Sequence, residues 1–114
     1  DRHLARIDRE IKEYGGSKEE IEVQCYNVNQ LLEEHGISTV DYVSIDTEGN
    51  ELSILESIDH QSVRFLVFTV ENNYEDPAVK EFMLAQGYQY LKKIEQDEVY
   101  LHRDMKKPLL YQWF

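Results

Sequence analysis

Cysteine is nearly missing from this chain: Cys25 stands alone among 114 residues. A single thiol excludes an internal disulfide and any cysteine-rich zinc site. A reducing, cytoplasmic compartment is the default expectation. Basic residues are scarce too. Lys and Arg number 12 against 23 Asp and Glu, a net charge of −11. That deficit argues against a nucleic-acid backbone as ligand, which calls for basic patches. It argues equally against docking on anionic membrane. It suits a cationic ligand or partner, and also plain solubility. No apolar run reaches transmembrane length, and no signal-peptide pattern is present. The four histidines, His3, His35, His60 and His102, show no metal-ligand spacing and read as surface residues. The first residue is Asp1 rather than methionine, so a fragment is among the expectations.

Hydrophobic residues make up 41% of the chain, enough for one small domain with a modest core. Leu4, Ile7, Ile11 and Tyr14 recur at helical spacing, and Gly15-Gly16 ends that helix. After a charged loop, Ile21–Tyr26 alternates apolar and polar, predicting a strand with Ile21, Val23 and Cys25 facing inward. Val28, Leu31 and Leu32 mark a short helix closed by Gly36. Val40–Ile45 reads as a strand, and Asn50 as the cap of a helix with Leu52, Leu55 and Ile58 on its inner side. The run VRFLVFTV at 63–70 fits a strand covered on both faces. Asp76-Pro77 opens a helix, and Gly87 closes it. Two strands, near 88–94 and 98–103, form a hairpin around Glu95–Asp97. Strands alternating with short helices imply an α/β fold with a parallel sheet, into which the hairpin brings one antiparallel strand.

The stretch VSIDTEGNEL, residues 43–52, carries the chemistry. An apolar strand ends in Asp46, Glu48 and Glu51 with Gly49 among them. In open parallel sheets, ligands bind beyond the carboxyl ends of the strands. Glu71, Asn72 and Asn73 end the next strand, so the two acidic ends are expected on one rim, with Tyr74 beside them. Glu51 also fits a helix start, where the dipole favours negative charge.

These residues are similar to the signature of the FkbM-type S-adenosylmethionine (SAM)-dependent methyltransferases. The segment VDYVSIDTEGNELSILESI, residues 40–58, resembles that family's strand ending in Ile-Asp, followed by x-Glu-Gly-x-Glu and a Leu-patterned helix. IEVQCYNVNQLLEEHGI, FLVFTVENN and FMLAQGYQYLKKIEQDEVYLHRD resemble the flanking strands, helices and closing hairpin. Ser44 stands where the family usually has lysine. The Gly-rich cofactor loop has no counterpart, because Gly15-Gly16 follow a helix.

The resemblance implies a Rossmann-like class I methyltransferase sheet, mostly parallel, with a closing antiparallel β-hairpin and without its first strands. Residues 1–20 would form a leading helix and loop, 21–104 the C-terminal half of the domain, and 105–114 an apolar tail. The implied activity is methyl transfer from SAM to a hydroxyl of a sugar or small natural product. Asp46 would lie nearest the transferred methyl, serving both cofactor binding and catalysis, with Glu48 as a second polar contact or base. Glu71, Asn72, Asn73 and Tyr74 would meet the acceptor. No metal, nucleic acid or membrane is implied. A second copy or an N-terminal half would be the protein partner. Two rival readings stand beside this one. The chain could be a non-catalytic half-domain serving as an interaction module. Asp46-x-Glu48 also resembles the first motif of DEDD-type exonucleases, which hold two divalent metals and need a late aspartate; Asp104, after Tyr100 and His102, is the loose match.

Overall fold

The computed structural model describes residues 2–106. Its elements run α1 (Arg2–Tyr14), α2 (Val28–Glu34), β1 (Thr39–Ile45), α3 (Glu51–Ser57), β2 (Arg64–Glu71), α4 (Pro77–Ala85), β3 (Gln89–Ile94) and β4 (Asp97–Leu101). The expected tail falls largely on 107–114, outside the described residues.

Local chemistry sets most of the boundaries. Asn27 Oδ1 accepts from the Asn29 and Gln30 amides and starts α2. Asp76 Oδ1 accepts from the Ala78 amide, with Pro77 at the first helical position of α4. Both helices stop alike. Gly36 and Gly87 take positive φ, and the next amides, of Ile37 and Tyr88, reach back to the Leu32 and Met83 carbonyls. Each reversal sends the chain towards a strand.

The four strands pair in the order β1-β2-β4-β3. β1 and β2 are parallel, whereas β4 is antiparallel to both β2 and β3. The sheet is therefore not mostly parallel in its pairings: one pair is parallel and two are antiparallel. The hairpin inserts its second strand, not its first, beside β2, so the one reversed strand contributes both antiparallel ladders. The strand expected at 21–26 is absent. This segment is irregular, Ile21 and Val23 are more than two-thirds exposed, and Cys25 is exposed rather than core-facing. Alternation makes a strand only where the segment pairs with a sheet edge, and among the described residues 21–26 pairs with none.

The larger core lies where α3 and α4 meet the sheet. Ile45, Phe68, Val70 and Tyr100 from the strands enclose Leu55, Val79 and Met83 from the helices. Leu91, Val99 and Leu101 form a smaller cluster with Val67 and Met105. Asn29 ties α2 to the end of α3: its Nδ2 donates to the Ser57 carbonyl and its Oδ1 accepts from the Asp59 amide. His60 proves to be structural rather than a surface residue. Its Nε2 donates to the Leu55 carbonyl at 2.7 Å, and its Nδ1 accepts from the Tyr88 hydroxyl at 2.7 Å. The ring packs among Phe65, Phe68 and Phe82. Burial lowers the His60 pKa and pushes that of Tyr88 up to about 12. Among the described residues, no helix is long and apolar enough to cross a membrane.

Two outcomes test this core. Phe68→Ala, at a fully buried site, is expected to lower folding stability by about 3–5 kcal/mol in urea denaturation. Because His60 is held below its ordinary pKa of 6.5, the unfolded chain takes up a proton that the folded one resists. Its contribution is therefore complete above about pH 6.5 and is lost as the pH falls below it. The urea midpoint should drop between about pH 7.5 and 5.5, and His60→Gln should flatten part of that slope.

Candidate functional site

The rim is built by strand register. Ile45 pairs with Val70, so Asp46 and Glu71 are the next residues on adjacent parallel strands. Both chains leave the sheet at the same level. Asp46, Glu48 and Glu71 each bring a carboxylate oxygen within 4.8 Å of the others. Asp46 is exposed; Glu48 and Glu71 are half-buried.

The loop between β1 and α3 is shaped to do this. Glu48 takes a left-handed φ of 59° and Gly49 a φ of 124°. For a non-glycine residue such a φ costs roughly 1–2 kcal/mol, so something must hold it. That role falls to Glu51. Its carboxylate, on a residue only 7% exposed, accepts from the Thr47 amide at 3.1 Å and the Gly49 amide at 3.1–3.2 Å. Glu51 thus does more than complement the helix dipole: it ties the loop to the first turn of α3. Asn50, expected as the cap, makes no side-chain cap bond, because Glu51 has taken over the fastening.

Arg6 enters from α1, 42 positions away in the chain. Its Nη2 lies 3.0 Å from Glu48 Oε2, a charge contact whose angles fall short of a hydrogen bond, since that oxygen has no such partner. Glu71 Oε2 is likewise buried with no hydrogen-bond partner among the described residues. Oxygen donors so arranged are what hard divalent cations take, and they equally suit an organic cation or a hydroxyl donor.

The remaining predicted residues divide. Tyr74 stands by the loop, its Cε2 3.5 Å from where a Cβ on Gly49 would lie. Asn73 is half-buried between Asn72 and Tyr74. Asn72 is buried and its amide is committed: Nδ2 donates to the Asp76 carbonyl, and Oδ1 accepts from the Asp76 amide, both at 2.9 Å. It builds the turn into α4 instead of facing a ligand. Asp104 is not brought to the cluster. It stands beside Arg64, at the start of β2 and so at the opposite end of the sheet. The chain after Glu48 enters a helix, not a strand. The exonuclease reading loses its late aspartate and its following strand together.

A mixed α/β sheet with a carboxylate rim at the ends of two adjacent parallel strands is consistent with a methyltransferase domain, with the rim where ligands bind in open α/β sheets. A family model described as the methyltransferase FkbM domain matches residues 3–90, most of the chain, and the chain belongs to that family. No curated protein and no solved structure matches it.

Glu51→Ala should release the Thr47 and Gly49 amides and lower stability by about 1–3 kcal/mol. Amide hydrogen exchange should accelerate at 47–49 first; unchanged protection there would show that the loop is held by something else.

Proposed function

We propose that this chain forms the catalytic rim of a SAM-dependent O-methyltransferase whose acceptor is a hydroxyl of a sugar or small natural product. The observation that carries the reading is the convergence of Asp46, Glu48 and Glu71 within 4.8 Å. The buried, unpartnered Glu71 Oε2 beside the exposed Asp46 gives the fit: an unmet acceptor next to open negative charge suits a sulfonium cation and a hydroxyl donor. SAM, when bound, supplies an electrophilic methyl group.

The chain's own residues divide the remaining work. The Asp46 carboxylate faces the cationic centre and takes the proton from the acceptor hydroxyl. Glu71 Oε2 accepts a hydrogen bond from the acceptor and orients it, since transfer depends chiefly on positioning. Asn73 and Tyr74 flank the acceptor. Glu48, held by Arg6, adds negative charge without competing for the same proton. The adenosine end of the cofactor finds no glycine-rich cradle among the described residues, since Gly15 and Gly16 follow α1. Among the described residues, β1 carries no neighbour on its outer side in the sheet. A Rossmann-like sheet extended along that edge, by an N-terminal half or another copy, would supply the cradle.

The open edge also favours a second reading, in which this polypeptide is a non-catalytic interaction module. Two measurements separate the readings. Asp46→Asn in the intact enzyme should reduce turnover by about 10²–10⁴-fold with little change in folding; undiminished turnover would remove Asp46 from the mechanism. Calorimetric titration of SAM into the intact enzyme should show stoichiometric binding, and none would leave the interaction module standing.

A further inference from the structure

We propose that the end of the sheet opposite the carboxylate rim binds a phosphoryl group, as carried by a small phosphate monoester. A cavity of about 260 Å³ lies there, between the starts of β1 and β2 and the turn that follows β4. The chain has five arginines. Three belong to α1; the other two, Arg64 and Arg103, both line this cavity. They come from distant parts of the sequence and are brought together by the β2–β4 ladder, which ends with the His102 amide donating to the Leu66 carbonyl at 2.8 Å. In a chain of net charge −11, this is a local reversal of sign.

Arg64 is engaged only in a loose ion pair, and Arg103 is unengaged among the described residues. The one acid in the wall is Asp104. Its Oδ2 stands 3.6 Å from Arg64 Nη2 and 3.6 Å from His102 Nδ1, longer than a hydrogen bond. Arg103 is exposed, and among the described residues its guanidinium makes no ion pair and no hydrogen bond. Its side chain lies across Gly87, Cδ 3.8 Å from where a Cβ would be. His102 Nδ1 accepts from the Asp104 amide at 3.2 Å, which leaves the proton of the neutral ring on Nε2 as a donor. The Ser38 hydroxyl adds to the polar wall, whereas the Ser62 side chain is hydrogen-bonded to the Asp59 carboxylate behind it. His60 contributes shape and no charge, since both of its ring nitrogens are engaged.

Two planar forks with hydroxyl and imidazole donors match the oxygens of a dianionic phosphoryl group, which arginine recognises bidentately. The cleft, about 260 Å³ in volume, leaves room for a small ester substituent beside the phosphoryl group.

The test is a titration of the ¹⁵N-labelled 114-residue chain with inorganic phosphate, with glycerol 3-phosphate and with glycerol, read by two-dimensional NMR. Saturable shifts are expected at the Arg64 and Arg103 side-chain Nε–H and at the Gly87 amide with both phosphates, and none with glycerol. Arg103→Gln and Arg64→Gln should each weaken binding by roughly tenfold or more, whereas Arg6→Gln should not. Tighter binding of glycerol 3-phosphate would identify the monoester as the ligand, and equal affinity free phosphate. Shifts that fail to saturate, shifts centred on α1, or unchanged affinity in the Arg64→Gln/Arg103→Gln double variant would overturn the proposal. The exposed position of both arginines keeps these variants folded.

Discussion

The register between β1 and β2 is the constraint on which the site depends. Ile45 opposite Val70 places two strand ends at one height, and the residues beyond them have nowhere to go but the same rim. A slip of one residue would turn Ile45 and Val70 out of the core. Both are at most 5% exposed, so the apolar burial that stabilises the sheet also locks the positions of Asp46 and Glu71. Stability and site geometry rest on the same contacts.

Around that rim the chain concentrates unfavourable features and restrains most of them by a named partner, the buried Glu71 Oε2 excepted. Glu48 is in a left-handed conformation, and Glu51 fastens the loop on either side of it. The charge of Glu48 meets Arg6. Asn72 and Asp76 bond to each other twice and fix the turn after β2. Of the three clustered carboxylates Asp46 alone is exposed, which is where chemistry with an incoming molecule is easiest. The far end of the sheet has the opposite character, with two arginines and a single carboxylate. A small domain thereby presents two electrostatically distinct ends.

Much of this was legible from residue types whose effects are local. Asp76-Pro77, Gly36 and Gly87 announce helix boundaries because capping needs only neighbours a few residues away. The 64–71 strand is announced by its β-branched and aromatic run. The carboxylates were visible because each follows directly from a strand end. What escaped the sequence depends on distant contacts. Whether 21–26 becomes a strand is decided by whether it docks on a sheet edge, which alternation cannot report. The placing of β4 inside the sheet is a choice between two equally local hairpin arrangements. Arg6 reaches Glu48 from a helix that carries no motif. His60 looked solitary because its partners, the Leu55 carbonyl and the Tyr88 hydroxyl, are a backbone atom and a residue 28 positions on.

The placing of β4 has a bearing on how the domain comes into being. β4 is the last of the described strands, yet it lies between β2 and β3. As synthesis proceeds from the N-terminus, β1, β2 and β3 leave the ribosome before the segment that joins them. Until residues 97–101 emerge, β2 shows a bare edge and Phe68 and Val70 lack Tyr100. The nascent polypeptide therefore stays incompletely zipped until residues 97–101 emerge, and the exposure of β2 to aggregation lasts until that strand arrives.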